Sequence, residues 1–335
     1  MEVDWLPLLD DAYLRTLYSG KSPKGLPIIA SYLRRLRALA GGRRPDLLWV
    51  EKELFPWLPA RAEALASLFG TPYAVDYDDA TCYSYSRHRL PVVRRLLGNK
   101  IRDVMRGAAL VVAGNQYLAE KAREAGAPKV AIIPTVVDLA SYPPAPTPSR
   151  ARAFTIGWIG SPFTAKYLSM IQPALAEVCA TGDARLVLVG SGPVEIAGVP
   201  TEVRPWSEAT EADDARSFDV GVMPLPDEPW ERGKCGYKLI QYMACGKPVI
   251  ASPVGVNKEI VETGVNGFLA ETLPDWVKFF NLLRSDPDLG ARLGGCGREK
   301  VETRYCTRVS APVLCEALLE AAGRRAAPRG PAGGR

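Results

Sequence analysis

The stretch Asp219–Val261, DVGVMPLPDEPWERGKCGYKLIQYMACGKPVIASPVGVNKEIV, decides the fold class. Asp219 to Leu225 carries an apolar run that reads as a buried strand, and Asp227 to Gly233 reads as a polar loop. Gly236 to Ala244 has helical content, and Pro248 to Ala251 is a second apolar run. Strand, loop, helix and strand, with strands apolar enough to be covered on both faces, make a βαβ unit of a parallel sheet. Lys234 and Lys238 are four apart, so a helix would carry both ammonium groups on one face, near the end where its free amides point outwards. A diphosphate suits that place, and Gln241, one turn on, could reach a ribose hydroxyl. A solvated lysine face is the other reading of the same spacing.

Working outwards, the scheme repeats. Thr155 to Ile159, Arg185 to Val189, Glu202 to Pro205 and Val220 to Met223 read as strands, with helices from about Thr164, over Leu273 to Arg284 and over Asp288 to Tyr305. In the first half, Leu47 to Val50, Tyr73 to Asp76, Leu110 to Ala113 and Val130 to Ile133 read as strands between helical patterns at Arg61 to Phe69, Val92 to Arg106 and Gln116 to Ala125. Tyr142 to Pro148, with prolines at 143, 144, 146 and 148, fits neither element and separates the halves. The expected fold is α/β, two doubly wound Rossmann-like domains facing a cleft: residues 1–145, residues 150–323, and a disordered basic tail at 324–335. Such a domain normally opens with a central strand, a glycine turn and a helix. Here Val3 to Leu9 reads as a second strand, so the first domain is expected to lack its opening β-α unit; the other reading is that Val3 to Leu9 is itself the first strand.

Composition narrows the chemistry. The 335 residues include seven cysteines with no C-x-x-C pair, which argues against a disulfide framework or a structural zinc site. His88 is the only histidine, so a His-rich metal site is nearly excluded. No run approaches the roughly 18 apolar residues of a spanning helix, and the first residues lack a signal peptide's basic region; the expected location is cytoplasmic. Residues 1–150 hold 21 Lys/Arg against 15 Asp/Glu, whereas 151–323 hold 17 against 22. The basic first half suits an anionic acceptor or an anionic membrane surface, with Arg34, Arg35, Arg37, Arg43 and Arg44 near one helical pattern. A merely solvated basic face explains the same count. Nothing points to nucleic acid.

Two further turns could approach a pyrophosphate closely. One follows Ile159, with Gly160, Ser161 and Thr164; the other contains Gly190 and Gly192. Each is weak alone, but three such turns at strand ends of one domain reinforce one another. The ordered set GWIGSPFT, VGSGP, DVGVMPL, GKCGYKLIQYMACGKPV and VGVNKEIV resembles the donor domain of a family 4, GT-B type retaining glycosyltransferase over about residues 155–308. Asp76 to Ala80, Gly114 and Asn115, and Pro134 to Asp138 resemble acceptor-domain landmarks more loosely.

The resemblance implies a nucleotide-diphosphate sugar held in the second domain, no other cofactor, typically no metal, and transfer with retained configuration to an acceptor in the first. That acceptor would be a carbohydrate, a lipid-linked sugar or a small molecule. Front-side substitution would place Lys234 and Lys238 on the leaving diphosphate, where charge develops. Asp78 and His88 are the acceptor-side candidates, each with a bland alternative in capping or a surface position. Trp206 sits where a base could stack, and the resemblance places Glu259 near the donor. One departure stands out: the family's two glutamates eight apart correspond here to Gly233 and Gln241, and Glu231, two residues before Gly233, could substitute for the first. A nicotinamide oxidoreductase would need a third glycine that Gly190 to Pro193 lacks. An epimerase of the same fold and a non-catalytic nucleotide-sugar-binding protein remain as other readings.

Overall fold

The computed structural model describes residues 2–9, 13, 16, 25–41, 44–63, 70–144 and 153–323. In the first half, the helix α1 (Gly25–Ala40) precedes strand β1 (Leu48–Glu51). Then follow β2 (Tyr73–Tyr77), short helices α2 (Cys82–Ser86), α3 (Pro91–Leu97) and α4 (Lys100–Gly107), β3 (Leu110–Ala113), α5 (Gln116–Ala125) and β4 (Val130–Ile132). The four strands are parallel in the order 1-2-3-4, with Glu51 beside Asp76 and Tyr77 beside Ala113. Their apolar side chains, Val75, Val111 and Ala113 among them, are fully buried under helices, as a sheet covered on both faces requires.

The second sheet contains β5 (Phe154–Ile159), β6 (Ala184–Val189), β7 (Thr201–Arg204), β8 (Val220–Met223), β9 (Val249–Ala251) and β10 (Gly267–Leu269) in the order 10-9-8-5-6-7. Its helices are α6 (Gln172–Cys179), α7 (Glu211–Arg216), α8 (Tyr237–Ala244), α9 (Leu273–Ser285) and α10 (Pro287–Arg304). Because β5 lies between β6 and β8, the chain reverses direction across the sheet there. The crevice beyond the carboxyl ends of β5 and β8 is the natural ligand position. Helix α8 is locked beneath it: Tyr242 sits against Gly221, where an added Cβ would lie 2.1 Å from its ring, and its hydroxyl accepts the Ile159 amide at 2.8 Å.

Helix α9 is closed by Thr272, whose hydroxyl accepts the Asp275 amide while the Asp275 carboxylate accepts the Thr272 amide. Thr272→Ala is expected to cost about 1 kcal/mol, the usual contribution of such a cap, read as a lower urea midpoint with unchanged slope. The last helix, α11 (Thr307–Ala321), leaves the second sheet and returns to the first, where Leu318 packs with Ala74, Leu110 and Val112. Chain order alone had put residues up to 323 with the second domain.

Several expectations are corrected. No strand forms at Val3–Leu9; Arg35 and Arg34 instead hold the Leu6 and Leu8 carbonyls at 2.8 and 3.3 Å. The helix expected over Val92 to Arg106 is broken at Gly98 and Asn99, a pair of poor helix formers, into α3 and α4. Of the pattern at Arg61 to Phe69, residues 61–63 carry the end of a 3₁₀ turn, Ala60–Ala62, and residues 64–69 lie outside the described residues. Residues 145–152, Arg43 and the tail 324–335 lie outside the described residues.

Candidate functional site

The crevice beyond β5 and β8 is lined by Trp158, Thr164 and Tyr167 from one side and Met223, Pro224, Leu225, Lys234 and Lys238 from the other. Lys238 lies on the first turn of α8, but Lys234 does not: Gly236, in the left-handed conformation at φ 70°, starts the helix two residues after it. The four-residue spacing is therefore not helical here. The fold brings the two ammonium groups to one cavity by a loop. The Lys238 ammonium stands 5.4 Å over the ring of Trp158 and forms no ion pair among the described residues. Burial, with the Lys234 charge beside it, pushes its pKa down to about 8. Lys234 reaches across to the first domain and pairs with Asp79 at 3.2 Å.

Gly160 and Gly190 shape the adjoining wall. A Cβ on Gly160 would meet Trp158 at 2.6 Å and Lys238 at 2.8 Å, while Gly190, at φ 76°, packs on the Gly160 carbonyl and the Trp206 Cβ. Gly192 is also left-handed, at φ 69°, and lies next to Pro162. Ser161 precedes the turn Pro162–Ala165 without a side-chain cap, and its carbonyl takes the Thr164 hydroxyl at 3.1 Å. The result is a run of close backbone from Lys238 to half-exposed Trp206.

At the Trp206 end lies a polar network that joins Gln241 to Tyr142 and Glu211, two residues the sequence did not single out for the site. Tyr142, from the proline-rich linker, donates its hydroxyl to Glu211 and accepts the Gln241 side-chain amide at 2.9 Å. Trp206 donates its indole N–H to the other Glu211 oxygen at 2.8 Å. Gln241, expected at a ribose, is thus buried against Tyr142. The sign of this was the lone aromatic among the linker prolines.

Beside the lysines, Tyr167 donates its hydroxyl to one oxygen of Glu231, while the second oxygen is buried without a partner. Such an orphaned acceptor costs about 1–3 kcal/mol until a donor arrives. Glu259 is elsewhere, in a cavity of about 220 Å³ with Asn115, Pro134, Arg304 and Tyr305. Among the described residues no group of three or more His, Cys, Asp or Glu side chains is placed to hold a metal ion.

The first domain supplies the facing wall. Asp78 pairs with Lys52 at 3.1 Å, and burial, with Asp78 and Glu51 nearby, pushes the Asp76 carboxyl up to about 6. His88 faces away from this chemistry: its Nδ1 accepts the Leu90 amide at 3.1 Å and its ring meets Trp57 edge-on. The loop after β1 is strained, with Lys52 at φ 61° and Trp57 at φ 63°, and a buried network holds it there. Glu63 accepts the Leu54 and Phe55 amides, and the fully buried Lys100 ammonium lies 2.5 Å from both Glu53 and the Phe55 carbonyl. The two domains meet at Asn115. Its Oδ1 caps α5 by accepting the Leu118 amide, and its Nδ2 donates to the Gly233 and Lys234 carbonyls at 3.0 and 3.1 Å.

Comparison with known proteins agrees with this layout. Residues 153–281 match the family described as glycosyl transferases group 1, and residues 9–135 match the glycosyl transferase 4-like domain. The chain belongs to the group 1 glycosyltransferases. One match falls on each sheet of this glycosyltransferase, and solved structures share its GT-B fold. Sucrose-phosphate synthase from Thermosynechococcus elongatus superposes with TM-score 0.68 at 17% identity, over 86% of this chain and 77% of that one. Anabaena HepE, solved in complex with UDP-glucose, gives TM-score 0.64 at 19% identity, over 93% of this chain and 90% of that one. No curated protein matches this glycosyltransferase in sequence. No helix among its described residues is long and apolar enough to cross a membrane.

Proposed function

We propose that this glycosyltransferase moves a sugar from a nucleoside-diphosphate sugar to a hydroxyl acceptor with retention of configuration. The observation that carries the reading is the Lys234–Lys238 pair at the switch point of the second sheet, two cations with a single carboxylate between them. The second positive charge lacks a counterion that a diphosphate would supply. Gly160, Gly190 and Gly192 let backbone amides approach the same group, with Ser161 and Thr164 beside them. Trp206 then offers a face to the base, and Glu211 is the carboxylate nearest to ribose. The HepE complexes with UDP and UDP-glucose support a UDP-sugar among the possible donors.

Retention follows if the acceptor hydroxyl attacks from the side that the diphosphate leaves. The leaving group takes the proton, and the lysines stabilise its charge. The cationic task falls on side chains, so we read the reaction as needing no protein-bound metal or further cofactor. Asp76, Asp78 and Asp79 border the acceptor position, which suits a carbohydrate, a lipid-linked sugar or a small molecule, and the basic first domain is read as meeting an anionic membrane surface. The space between Trp158 and the lysines is about 10 Å³, a water at most. Donor entry therefore needs Lys238 to swing or the cross-domain contacts to open.

The unpartnered oxygen of Glu231 is the place for a hydroxyl of the transferred sugar. Calorimetric titration with UDP, GDP and ADP, each free and sugar-linked, tests both levels. One nucleotide diphosphate is expected to bind selectively, and Glu231→Gln to leave its affinity unchanged while lowering the affinity for the sugar-linked form about tenfold. No binding by any nucleotide would sink the donor reading, and an unchanged ratio the Glu231 assignment. The anomeric configuration of the product, read by NMR, decides retention.

A further inference from the structure

The first domain exposes large apolar side chains in an arginine-rich setting. On and around α3, Leu90, Val92 and Leu96 are 49%, 58% and 70% exposed, while Val93 and Leu97 of the same helix turn into the core. Trp57, 58% exposed, joins them through its edge-on contact with His88 at 5.6 Å. Arg87, Arg89, Arg94 and Arg95 are interleaved, and no Asp or Glu occurs from Cys82 to Lys100. The loop carrying Trp57 also abuts α1, where Tyr32 donates to the Pro56 carbonyl and Arg35 to the Leu54 carbonyl. Helix α1 contains no acidic residue and exposes Ile29, Leu33 and Leu36, spaced on one helix face.

Trp57 is not exposed by slackness. Its left-handed backbone is held by the Tyr85 hydroxyl, which accepts its amide at 2.9 Å and donates to Glu53, itself paired with buried Lys100. Backbone strain maintained by a buried ion network displays an aromatic ring to the outside, and such strain gathers where it serves binding. Exposed large apolar side chains gathered in this way mark interaction sites. Aromatic and aliphatic side chains mixed with arginines, with no acidic residue in α1 or from Cys82 to Lys100 and the loop's Glu53 paired with buried Lys100, match one partner chemistry best: the interface of a bilayer with anionic headgroups.

We propose that the face formed by α3, the Trp57 loop and α1 docks on an anionic lipid surface. Trp57, Leu90, Val92 and Leu96 enter the headgroup boundary and the arginines meet phosphates. The inference deepens the membrane reading given above and places the strained loop carrying Lys52, on the acceptor side of the cleft, against the lipid, so that an acceptor bearing a lipid anchor reaches the cleft without leaving the bilayer.

The test is sedimentation of the full chain with phosphatidylcholine vesicles and with vesicles part-replaced by phosphatidylglycerol. The protein is expected to pellet with the anionic vesicles only and to be released by salt. Leu90→Ser with Leu96→Ser, and separately Arg89→Glu with Arg95→Glu, are each expected to lower the bound fraction at least about tenfold, with melting temperature and UDP binding unchanged. Wild-type protein left in the supernatant at low ionic strength, or double variants that pellet like wild type, would overturn the proposal. So would a dimer in light scattering that both double variants convert to monomer, since the face would then bind a second copy. Loss of nucleotide binding with vesicle binding intact counts against the donor reading alone.

Discussion

A Lys238→Met protein is expected to lose about two to three orders of magnitude in turnover, the usual cost of removing one group aimed at developing charge, and yet to melt at a higher temperature. Both effects have one source. The Lys238 ammonium is buried among protein atoms and repelled by Lys234, with the Trp158 ring against it and the Asp79 charge as a smaller favourable influence. A methionine of similar length keeps the contact with Trp158 and removes the misplaced charge. Lowering from 10.5 to about 8, at about 1.4 kcal/mol per unit and discounted for the partly open site, corresponds to about 2 kcal/mol of added stability. The sign follows from proton counting. Between pH 8 and 10.5 the unfolded chain holds more protons than the folded one, so wild-type stability climbs with pH through that window. The advantage of the methionine variant is therefore largest below pH 8 and shrinks above it. Thermal melts from pH 7 to 9, with turnover measured on the same samples, check this; a variant both inactive and less stable would contradict it.

Donor binding carries the matching signature. A diphosphate beside Lys238 draws its pKa back up, so binding above pH 8 takes up a proton and weakens as pH rises. Titrations in buffers of different ionisation enthalpy would show that uptake in wild type and its absence in Lys238→Met.

The parts of this site legible in the sequence are those that local patterns control. Val220 to Met223 and Leu110 to Ala113 form strands with the expected limits because runs of apolar residues have one way to be buried in a parallel sheet. Gly160 and Gly190 were recognisable because close backbone approach excludes a side chain. What escaped was long-range. Lys234 looked helical because four-residue spacing has that meaning only inside a helix, and Gly236 starts α8 later. Gln241 looked like a ribose ligand until Tyr142, 99 positions earlier, came to lie on its amide. Helix α11 was not among the helical patterns read, and nothing local in Leu318 says that its partners are Ala74 and Leu110. The orphaned oxygen of Glu231 exists only after Tyr167 has taken the other.

Asn115→Asp is expected to separate nucleotide binding from transfer. The aspartate still caps α5, because a carboxylate accepts the Leu118 amide as well as the asparagine Oδ1 does. It cannot donate, so the Gly233 and Lys234 carbonyls lose their partner and instead face a negative oxygen. Leaving two carbonyls unpaired costs about 2–4 kcal/mol, and this cost falls on the closed arrangement alone, since an opened cleft gives both groups to water. If transfer needs the domains closed, turnover drops about thirty- to several-hundred-fold. In the proposed donor position the nucleotide meets second-domain residues, Gly160, Gly190, Trp206 and Lys238, so its affinity should stay within a few-fold of wild type, or improve as the narrow space beside Trp158 opens. Turnover and UDP affinity measured together decide the matter. A parallel fall in both would mean that Asn115 shapes the donor loop itself, and no change in either would mean that these two hydrogen bonds do not govern closure.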